Sequence, residues 1–417
     1  MSFITSLTRM WLTRTIKPFT FKNECDQTLP FAECENLGLY VHIPFCESIC
    51  DFCPYCKVRY SKELCNKYID SLIEEIRLVG SQHTDRKKVT SLYFGGGTPA
   101  LAANGIKEII AVLNEHFVIT DGIGLELHPD NVNIETLQIL KDAGVTKISI
   151  GVQSFCDKYQ KILGRKKIDA DAMMSALAVV PFETISMDFI FALPGQTYDD
   201  LKYDIDKAFS LRANHVAIYP FIDFTFTESP VSTMPKKEKR KLLDSITEYC
   251  LSKGYSRDSI WTFSSEFNAH YSSMTRDNFL GFGCSATSLF KEQFKINTFD
   301  MEAYCDRISS GKLATSLTIR FTKRQRMIYW LFWTAYSTRV KASDFEKFFG
   351  VPLKRMYGFE LWLAKLLGFI KEHNGTYEMT LKGAFYYHYY ENFYTLSYID
   401  KMWGIMRKEA FPERIEF

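Results

Sequence analysis

The sequence lacks an excess of charge of either sign, a long apolar run and any low-complexity tract. Its 51 lysines and arginines and 49 aspartates and glutamates leave a formal net charge of +2, which gives no electrostatic basis for binding nucleic acid or an anionic membrane. The longest mainly apolar stretch, Met327 to Tyr336, is about half of the ~20 residues that a helix needs to cross a bilayer. It predicts a buried helix, so any partner must be inferred from individual sites.

The N-terminus also lacks the features of a secretion signal. It carries Arg9, Arg14 and Lys17 and no acid before Glu24, but it has neither an uninterrupted apolar segment nor a small-residue cleavage site. We therefore expect a basic helix or arm on the body of the protein, rather than a presequence or a membrane-surface helix. Isolated cysteines are typical of a reducing, cytoplasmic compartment, and those scattered singly are Cys25, Cys34, Cys65, Cys156, Cys250, Cys284 and Cys305.

Between Gly38 and Tyr219 short β-rich runs alternate with amphipathic helical patterns. This alternation predicts a parallel sheet with helices outside it, because parallel strands need crossover connections. We expect an α/β fold containing a full or partial βα barrel, with ligands at the carboxyl ends of the strands. The candidate strands are "LYVHI", "VTSLYFG", "IGLELH", "KISIGV", "ISMDFIF" and "HVAIYPF", and the candidate helices are Lys62–Val79, Gly105–His116, Asn133–Ala143, Asp169–Val179 and Tyr198–Leu211.

The C-terminal part of the chain has a different pattern. Lys323–Tyr336, Ala342–Phe349 and Leu353–Leu367 predict three helices, and "FIKEHNGTYEMT" predicts a hairpin around an Asn-Gly turn. Together they predict a mainly helical, winged-helix-like module, which we interpret as a lid or docking module rather than a DNA-binding one. The predicted organisation is an N-terminal arm (1–36), a barrel core (37–220), a barrel extension and linker (221–315), and the C-terminal module (316–417).

Four cysteines lie close together just after the first predicted strand. Cys46, Cys50 and Cys53 are spaced CxxxCxxC, and Cys56 follows three residues later. Three thiolates on one loop can hold three irons of a [4Fe–4S] cube and leave the fourth iron open to a ligand. A four-cysteine zinc site is the alternative, although such sites usually pair two separated CxxC halves. A disulfide knot is disfavoured by the predicted compartment.

Polar residues and glycines follow the other predicted strands. The glycines of "LYFGGGTPAL" remove side chains where backbone must approach a ligand, and their amides could bind a carboxylate or an amine. Polar groups that lie together at the carboxyl ends of the strands suit a polar cofactor. The remaining strand-end candidates are Glu126, Gln153, Ser154, Arg165 and Asp188.

Four ordered motifs resemble the radical S-adenosylmethionine (SAM) enzymes. They are "YVHIPFCESICDFC", "YFGGGTPAL", "ISIGVQSF" followed by "LGR", and "MDFIFALPGQT". Within that superfamily they are similar to the oxygen-independent coproporphyrinogen III oxidase family, which also contains haem chaperones and carbon methyltransferases. The resemblance implies a partial (β/α)6 radical SAM barrel, a [4Fe–4S] cluster and one or two SAM molecules. It also implies reductive cleavage of SAM to a 5'-deoxyadenosyl radical that removes a hydrogen atom from substrate.

The same resemblance implies roles for individual residues. Cys46, Cys50 and Cys53 would bind the cluster, and Tyr40 and His42 would line it. Tyr40 and Cys56 are the candidate catalytic residues. The residues at positions that contact SAM are Tyr40, Phe52, Gly96, Gly97, Thr98, Glu126, Gln153, Arg165 and Asp188.

The chain departs from the family pattern at two places. Cys56 lies three positions past Cys53, whereas the oxidases have their fourth cysteine two positions past the third. The segment that holds His270 lacks the His-Asn and Tyr-Trp elements of the haem chaperones. We therefore expect a radical enzyme acting on a tetrapyrrole or another small conjugated molecule, by oxidative decarboxylation, C-methylation or rearrangement.

Two alternatives stand beside this expectation. One is a haem chaperone that retains the cluster, and the other is a winged-helix nucleic-acid-binding protein. For the radical enzyme, the implied partners are a small-molecule substrate and a flavodoxin- or ferredoxin-type electron donor, without nucleic acid. Cys56 would be either a thiol packed under the loop or one that faces the substrate.

Overall fold

The computed structural model describes residues 3–228, 233–265 and 277–417. The segment that contains His270 lies outside these ranges. Within them, no helix combines the length and the apolar character that a membrane span requires.

The strands are β1 (Thr20–Lys22), β2 (Leu37–Ile43), β3 (Phe45–Cys46), β4 (Val58–Arg59), β5 (Lys87–Val89), β6 (Leu92–Gly96), β7 (Phe117–Ile119), β8 (Ile123–Leu127), β9 (Lys147–Gln153), β10 (Thr184–Phe191), β11 (His215–Pro220), β12 (Ser256–Arg257), β13 (Thr262–Ser264), β14 (Asn278–Phe282), β15 (Thr287–Leu289), β16 (Gln293–Asn297), β17 (Thr315–Arg320), β18 (Arg339–Lys341), β19 (Ile370–His373), β20 (Thr376–Met379) and β21 (Arg414–Glu416).

The α-helices are α1 (Phe3–Thr13), α2 (Lys62–Gly80), α3 (Ala103–His116), α4 (Ile134–Asp142), α5 (Asp157–Ile162), α6 (Ala170–Val179), α7 (Tyr198–Ser210), α8 (Lys236–Ser252), α9 (Met301–Ser309), α10 (Lys323–Tyr336), α11 (Ala342–Phe349), α12 (Leu353–Leu366), α13 (Leu381–Tyr394) and α14 (Asp400–Met406).

The six predicted strands are confirmed as a parallel sheet. They stand side by side in the order β11-β10-β9-β8-β6-β2, and each neighbouring pair is parallel. The apolar side chains of these strands are almost all buried because helices cover the outside of the sheet. Because all six strands run parallel, their carboxyl ends lie at one edge of the sheet.

The predicted core helices are also confirmed, and polar caps explain where they begin. The Ser61 hydroxyl accepts a hydrogen bond from the amide of Leu64 at the start of α2, and Asn133 caps α4 in the same way. At α7, Thr197 and Asp200 form a reciprocal capping box. Each cap satisfies backbone amides that have no partner inside the helix.

Among the described strands the sheet does not close on itself, so the barrel is partial, as the resemblance implies. The other neighbour of β2 is β14, which runs parallel to it with Phe282 opposite Val41. The sheet continues through β15, β16 and β17 to β1 and β21. The sequence did not predict this half, and β1 shows that the N-terminal arm contributes a strand as well as a helix.

A buried carboxyl group joins the two halves of the sheet. Glu75 on α2 accepts hydrogen bonds from the Gly283 amide at 2.6 Å, the Asn297 amide group at 3.0 Å and the Tyr304 hydroxyl at 2.8 Å. Burial raises the pKa of Glu75 to about 7, against the effect of these donors. Because three donors satisfy it, the carboxyl group fixes α2 against β14, β16 and α9.

The three helices and the hairpin predicted for the C-terminal module are confirmed. α10, α11 and α12 pack around Trp330, Phe345 and Tyr357, beside a small antiparallel sheet in the order β18-β20-β19. The hairpin turns at Asn374 and Gly375, both of which have positive φ, as a two-residue type I' turn requires.

Candidate active site

Cys46, Cys50 and Cys53 lie on one closed loop at the carboxyl end of β2. The loop is closed by pairing of β3 with β4, where Val58 N donates to Pro44 O at 2.7 Å and Tyr60 N donates to Cys46 O at 2.9 Å. All three cysteines are partly exposed. The loop therefore presents three accessible thiols at the ligand edge of the sheet.

Lys57 stabilises the shape of this loop and supplies positive charge to it. Its ammonium group donates to Cys50 O at 2.5 Å and to Cys53 O at 2.8 Å. Burial raises the pKa of Cys46 to about 11, and the nearby Cys53 adds to the shift. Burial also raises the pKa of Cys50. Neighbouring thiols of this kind become thiolates when a metal centre supplies compensating positive charge, so the donor set fits an iron–sulfur cluster.

The glycine turn after β6 packs directly against the cysteine loop. Gly97 N donates to Ile43 O at 2.8 Å, and Thr98 N donates to Phe45 O at 2.7 Å. A Cβ atom on Gly97 would lie 2.5 Å from Phe45 O, so only glycine fits there. The Thr98 side chain also forms a hydrogen bond with the Cys46 thiol.

The amides of this turn form hydrogen bonds within the protein. Gly96 N donates to Glu126 Oε2 at 3.1 Å, and the amides of Gly97 and Thr98 hold the cysteine loop. The contact of Gly96, Gly97 and Thr98 with SAM, which the resemblance implies, remains a prediction.

Glu126 and Asp188 face a common space at the same edge. Asp188 is held by the hydroxyls of Ser149 at 2.8 Å and Ser186 at 3.2 Å. Burial raises the pKa of Asp188 to about 6. Burial and then the charge of Asp188 raise the pKa of Glu126 to about 7. A carboxyl group whose ionisation is disfavoured by burial and by a second carboxyl suits a ligand that carries positive charge.

Arg165, which follows α5, lies near the cysteine loop and is anchored on β9 beside a bulge in the sheet. The pairing of β9 with β10 shifts between Met187 and Phe189, and Gln153 at this bulge has a φ of +69°. The Arg165 guanidinium donates to Gly151 O at 2.6 Å. Burial lowers the pKa of Arg165, and the thiols of the loop, with Cys50 first among them, oppose this shift. The bond to Gly151 thus holds a cation near the three cysteines.

Tyr40 and Phe52 occupy different parts of the site. The Tyr40 hydroxyl lies 3.1 Å from His42 Nδ1, and its ring stacks on Tyr93. Burial, and then the charge of Glu126, raise the pKa of Tyr40 well above its usual value. Phe52 instead packs against an apolar cluster that includes Tyr159.

Cys56 lies apart from the other three cysteines. It is buried, and its thiol donates a hydrogen bond to Phe299 O at 3.2 Å. A hydrogen bond with Cys284 lowers the pKa of Cys56 and outweighs its burial. Of the two roles considered for Cys56, this placement favours the thiol packed under the loop, and its catalytic role remains a prediction.

Residues that the sequence did not single out individually lie where the C-terminal module, interpreted as a lid or docking module, meets the cysteine loop. Tyr55 is 54% exposed, and its ring lies 6.0 Å from that of Trp403 on α14. The Arg407 guanidinium donates to Pro54 O. No pattern near Tyr55 predicts this contact, because α14 meets the loop only through the fold of the whole chain.

Comparison with known proteins identifies the class of this domain. Residues 40–208 match the model of the radical SAM superfamily, and they include the cysteine loop, the glycine turn and the carboxyl pair. This part of the chain is therefore a radical SAM domain, a class that uses a [4Fe–4S] cluster and SAM.

The relatives include heme chaperones and coproporphyrinogen oxidases. The chain is 35% identical over 188 residues to the heme chaperone HemW of Lactococcus lactis, which covers 44% of this chain and 48% of that protein. It is 28% identical over 288 residues to HemW of Bacillus subtilis, with 65% and 75% covered. It is 26% identical over 366 residues to the oxygen-independent coproporphyrinogen III oxidase of Pseudomonas aeruginosa, with 78% and 77% covered. The chain thus spans about half the length of the first of these relatives.

A solved structure shares the overall fold. Coproporphyrinogen III oxidase (HemN) from Escherichia coli superimposes with a TM-score of 0.71 at 21% identity, over 88% of this chain and 90% of that one. This agreement confirms the α/β fold class that the sequence predicts.

Proposed function

We propose that the chain is an enzyme that uses a [4Fe–4S] cluster and SAM for radical chemistry on a tetrapyrrole or another small conjugated substrate. The observation that carries this proposal is the convergence of three accessible thiols, a packed glycine turn and a carboxyl pair at one sheet edge. When bound, the reduced cluster supplies the electron that cleaves SAM into methionine and a 5'-deoxyadenosyl radical. The electron would come from a flavodoxin- or ferredoxin-type donor.

In this proposal Cys46, Cys50 and Cys53 hold the cluster. Lys57 and Arg165 would offset the negative charge of the thiolates, since Lys57 bonds the backbone of the loop and Arg165 interacts with all three cysteines. The glycine turn holds Cys46 in position through its two amides and through Thr98. These residues would keep the loop closed while the cluster changes its charge.

The proposed SAM contacts surround the same space. Glu126 and Asp188 would bind positively charged groups of SAM, because each carboxyl is poised near neutral pH by its surroundings. Gln153, at the bulge in β9, and Arg165, which is anchored on the same strand, would bind its carboxylate or ribose. The other proposed contacts are Tyr40, Phe52, Gly96, Gly97 and Thr98, and a second SAM molecule remains part of the proposal.

The proposed substrate lies on the side walled by aromatic residues. The Trp403 ring contacts those of Tyr55, Phe224 and Phe299, with centroids 5.9 to 6.2 Å apart. Aromatic walls of this kind suit a flat conjugated molecule. Relatives include a coproporphyrinogen oxidase and an anaerobilin synthase, so oxidative decarboxylation and SAM-dependent C-methylation or rearrangement are the proposed reactions.

The second candidate function is a haem chaperone that retains the cluster. The identity of 35% to a heme chaperone over 188 residues supports it. The same similarity is also compatible with the enzyme proposal. The aromatic wall could hold haem as readily as a substrate.

The test is a product search after anaerobic reconstitution with iron and sulfide. Dithionite, SAM and either coproporphyrinogen III or haem are added, and 5'-deoxyadenosine, its deuterium content and new products are measured by mass spectrometry. We expect about four irons per chain and 5'-deoxyadenosine in wild-type protein. Cys50→Ala should lose both, whereas Cys65→Ala, which changes a buried cysteine outside the loop, should keep both.

The outcomes separate the candidates. Tight, stoichiometric haem binding without 5'-deoxyadenosine would favour the chaperone. Zinc in place of iron at Cys46, Cys50 and Cys53, in protein prepared anaerobically, would refute both.

A further inference from the structure

Three potential metal ligands converge beneath the cysteine loop. His42 lies on β2, Cys56 lies just past the three loop cysteines, and Cys284 lies just after β14. Their ligand atoms are all within 4.8 Å of one another. All three side chains are buried, with exposures of 4%, 5% and 0% respectively. None of the residues proposed to hold the iron–sulfur cluster belongs to this group.

The surroundings hold these residues in place. His42 Nε2 lies 3.1 Å from Cys56 O, and Nδ1 lies 3.1 Å from the Tyr40 hydroxyl. The Tyr68 hydroxyl donates to His42 O at 2.8 Å and accepts from Cys284 N at 3.0 Å. The Tyr68 hydroxyl therefore links the backbone of His42 to the backbone of Cys284.

Two glycines leave the space that this arrangement needs. A Cβ atom on Gly96 would lie 2.7 Å from the His42 ring, and one on Gly283 would lie 2.7 Å from His42 O. Both glycines also have positive φ, which favours glycine at these positions. The close approach of three chain segments around His42 depends on both of them.

The chemistry of the three ligands selects a thiophilic cation. Two thiolates and one neutral imidazole form an uncharged complex with Zn²⁺, so burial does not penalise it as it would a free ion. Cys56 O, beside His42 Nε2, is placed to act as a fourth, oxygen ligand. The Tyr40 hydroxyl would accept a hydrogen bond from Nδ1–H and orient the imidazole, as outer partners of histidine ligands do. Binding would release the two thiol protons.

We propose that His42, Cys56 and Cys284 form a second metal site, specific for Zn²⁺, beneath the iron–sulfur loop. This site goes beyond the proposed radical chemistry and has a structural role. It ties the Cys56 end of the loop to β2 and β14, the parallel pair at which the two halves of the sheet meet.

The test is metal analysis of the full-length protein, reconstituted with iron and sulfide and then incubated with one equivalent of Zn²⁺ and desalted. We expect about four irons and one zinc per chain in wild-type protein. Cys284→Ala should keep the irons and lose the zinc. Cys250→Ala is the matched control, because it removes a buried thiol on α8 and should keep both metals.

X-ray absorption at the zinc edge of wild-type protein locates the ion even if the variant fails to fold. The expected shell has two sulfurs at about 2.3 Å and nitrogen or oxygen at about 2.0–2.1 Å. Three or four sulfurs would place zinc on the cluster loop and overturn the proposal. Protein that keeps four irons but retains no zinc, with Cys56 and Cys284 open to alkylation after denaturation, would also overturn it.

Discussion

Replacement of Gly97 by alanine should disturb the cysteine loop more than the addition of one methyl group suggests. The added Cβ would lie 2.5 Å from Phe45 O and 2.8 Å from Pro44 C. Both atoms belong to the backbone of the segment that leads to Cys46, so no side chain can rotate away. Cβ atoms in proteins essentially never come within 3.0 Å of such atoms, so the turn and the loop must separate by at least about 0.5 Å.

The magnitude follows from what this separation breaks. Overpacking of a rigid site costs about 1–3 kcal/mol. The hydrogen bonds from Gly97 N to Ile43 O and from Thr98 N to Phe45 O contribute about 1 kcal/mol each, and both would lengthen. We expect a loss of about 2–4 kcal/mol in the free energy of unfolding. The rate of SAM cleavage should fall by up to about 100-fold, because the cluster ligands would shift by a fraction of an ångström to 1 Å.

Urea unfolding and iron analysis check this prediction, with Gly105→Ala as the matched control. Gly105 lies on α3, where a Cβ would meet only the side chain of Ile69 at 3.3 Å. Alanine there should be neutral or should stabilise the helix by up to about 1 kcal/mol. The reasoning is refuted if Gly97→Ala unfolds within 0.5 kcal/mol (roughly the scatter of surface substitutions) of wild type and retains four irons and full activity.

Three further changes test other parts of the site. Cys56→Ala should keep four irons and the cluster absorbance, because its thiol contacts Phe299 O; loss of the absorbance would make Cys56 a cluster ligand. Burial raises the pKa of Glu75 from 4.5 to about 7, so its contribution to stability is full below pH 4.5 and falls by about 3 kcal/mol as pH rises through 7. Glu75→Gln should remove that slope in urea unfolding, and an unchanged slope would contradict the assignment. Trp403→Ala should let air bleach the cluster several-fold faster than in the control Trp362→Ala, which alters an exposed residue on α12; equal rates would show that Trp403 does not cover the site.

The parallel core could be predicted because its signals are local. Each of its strands is a short run rich in apolar residues, and several of the helices between them have an apolar stripe and a polar cap such as Ser61 or Asn133. The CxxxCxxC spacing likewise lies within eight residues, from Cys46 to Cys53. Patterns this short predict structure without any knowledge of tertiary contacts. The similar proteins have the fold and the domain class that these patterns predict.

The second half of the sheet could not be predicted for the opposite reason. β14 to β17 are short, and their partners are chosen by tertiary packing rather than by periodicity. Without the pairing of β14 with β2, nothing in the sequence places Cys284 beside Cys56. From the sequence alone, Cys56 could be considered only in relation to its own loop and to a substrate. The contacts of its thiol depend on residues far along the chain.

The C-terminal helices are part of the wall of the site as well as a separate module. Asp400 on α14 accepts hydrogen bonds from the backbone and the hydroxyl of Thr225, both at 2.7 Å, and Asp400 is buried. One turn further along, Trp403 meets Tyr55 on the cysteine loop. The same short helix thus contacts the segment after β11 and the loop after β2, which lie at the two ends of the parallel core. α14 is held from both sides, by the bonds of Asp400 to Thr225 and by the contact of Trp403 with Tyr55, so it connects the two ends of the parallel core at the edge of the sheet where the cysteine loop lies.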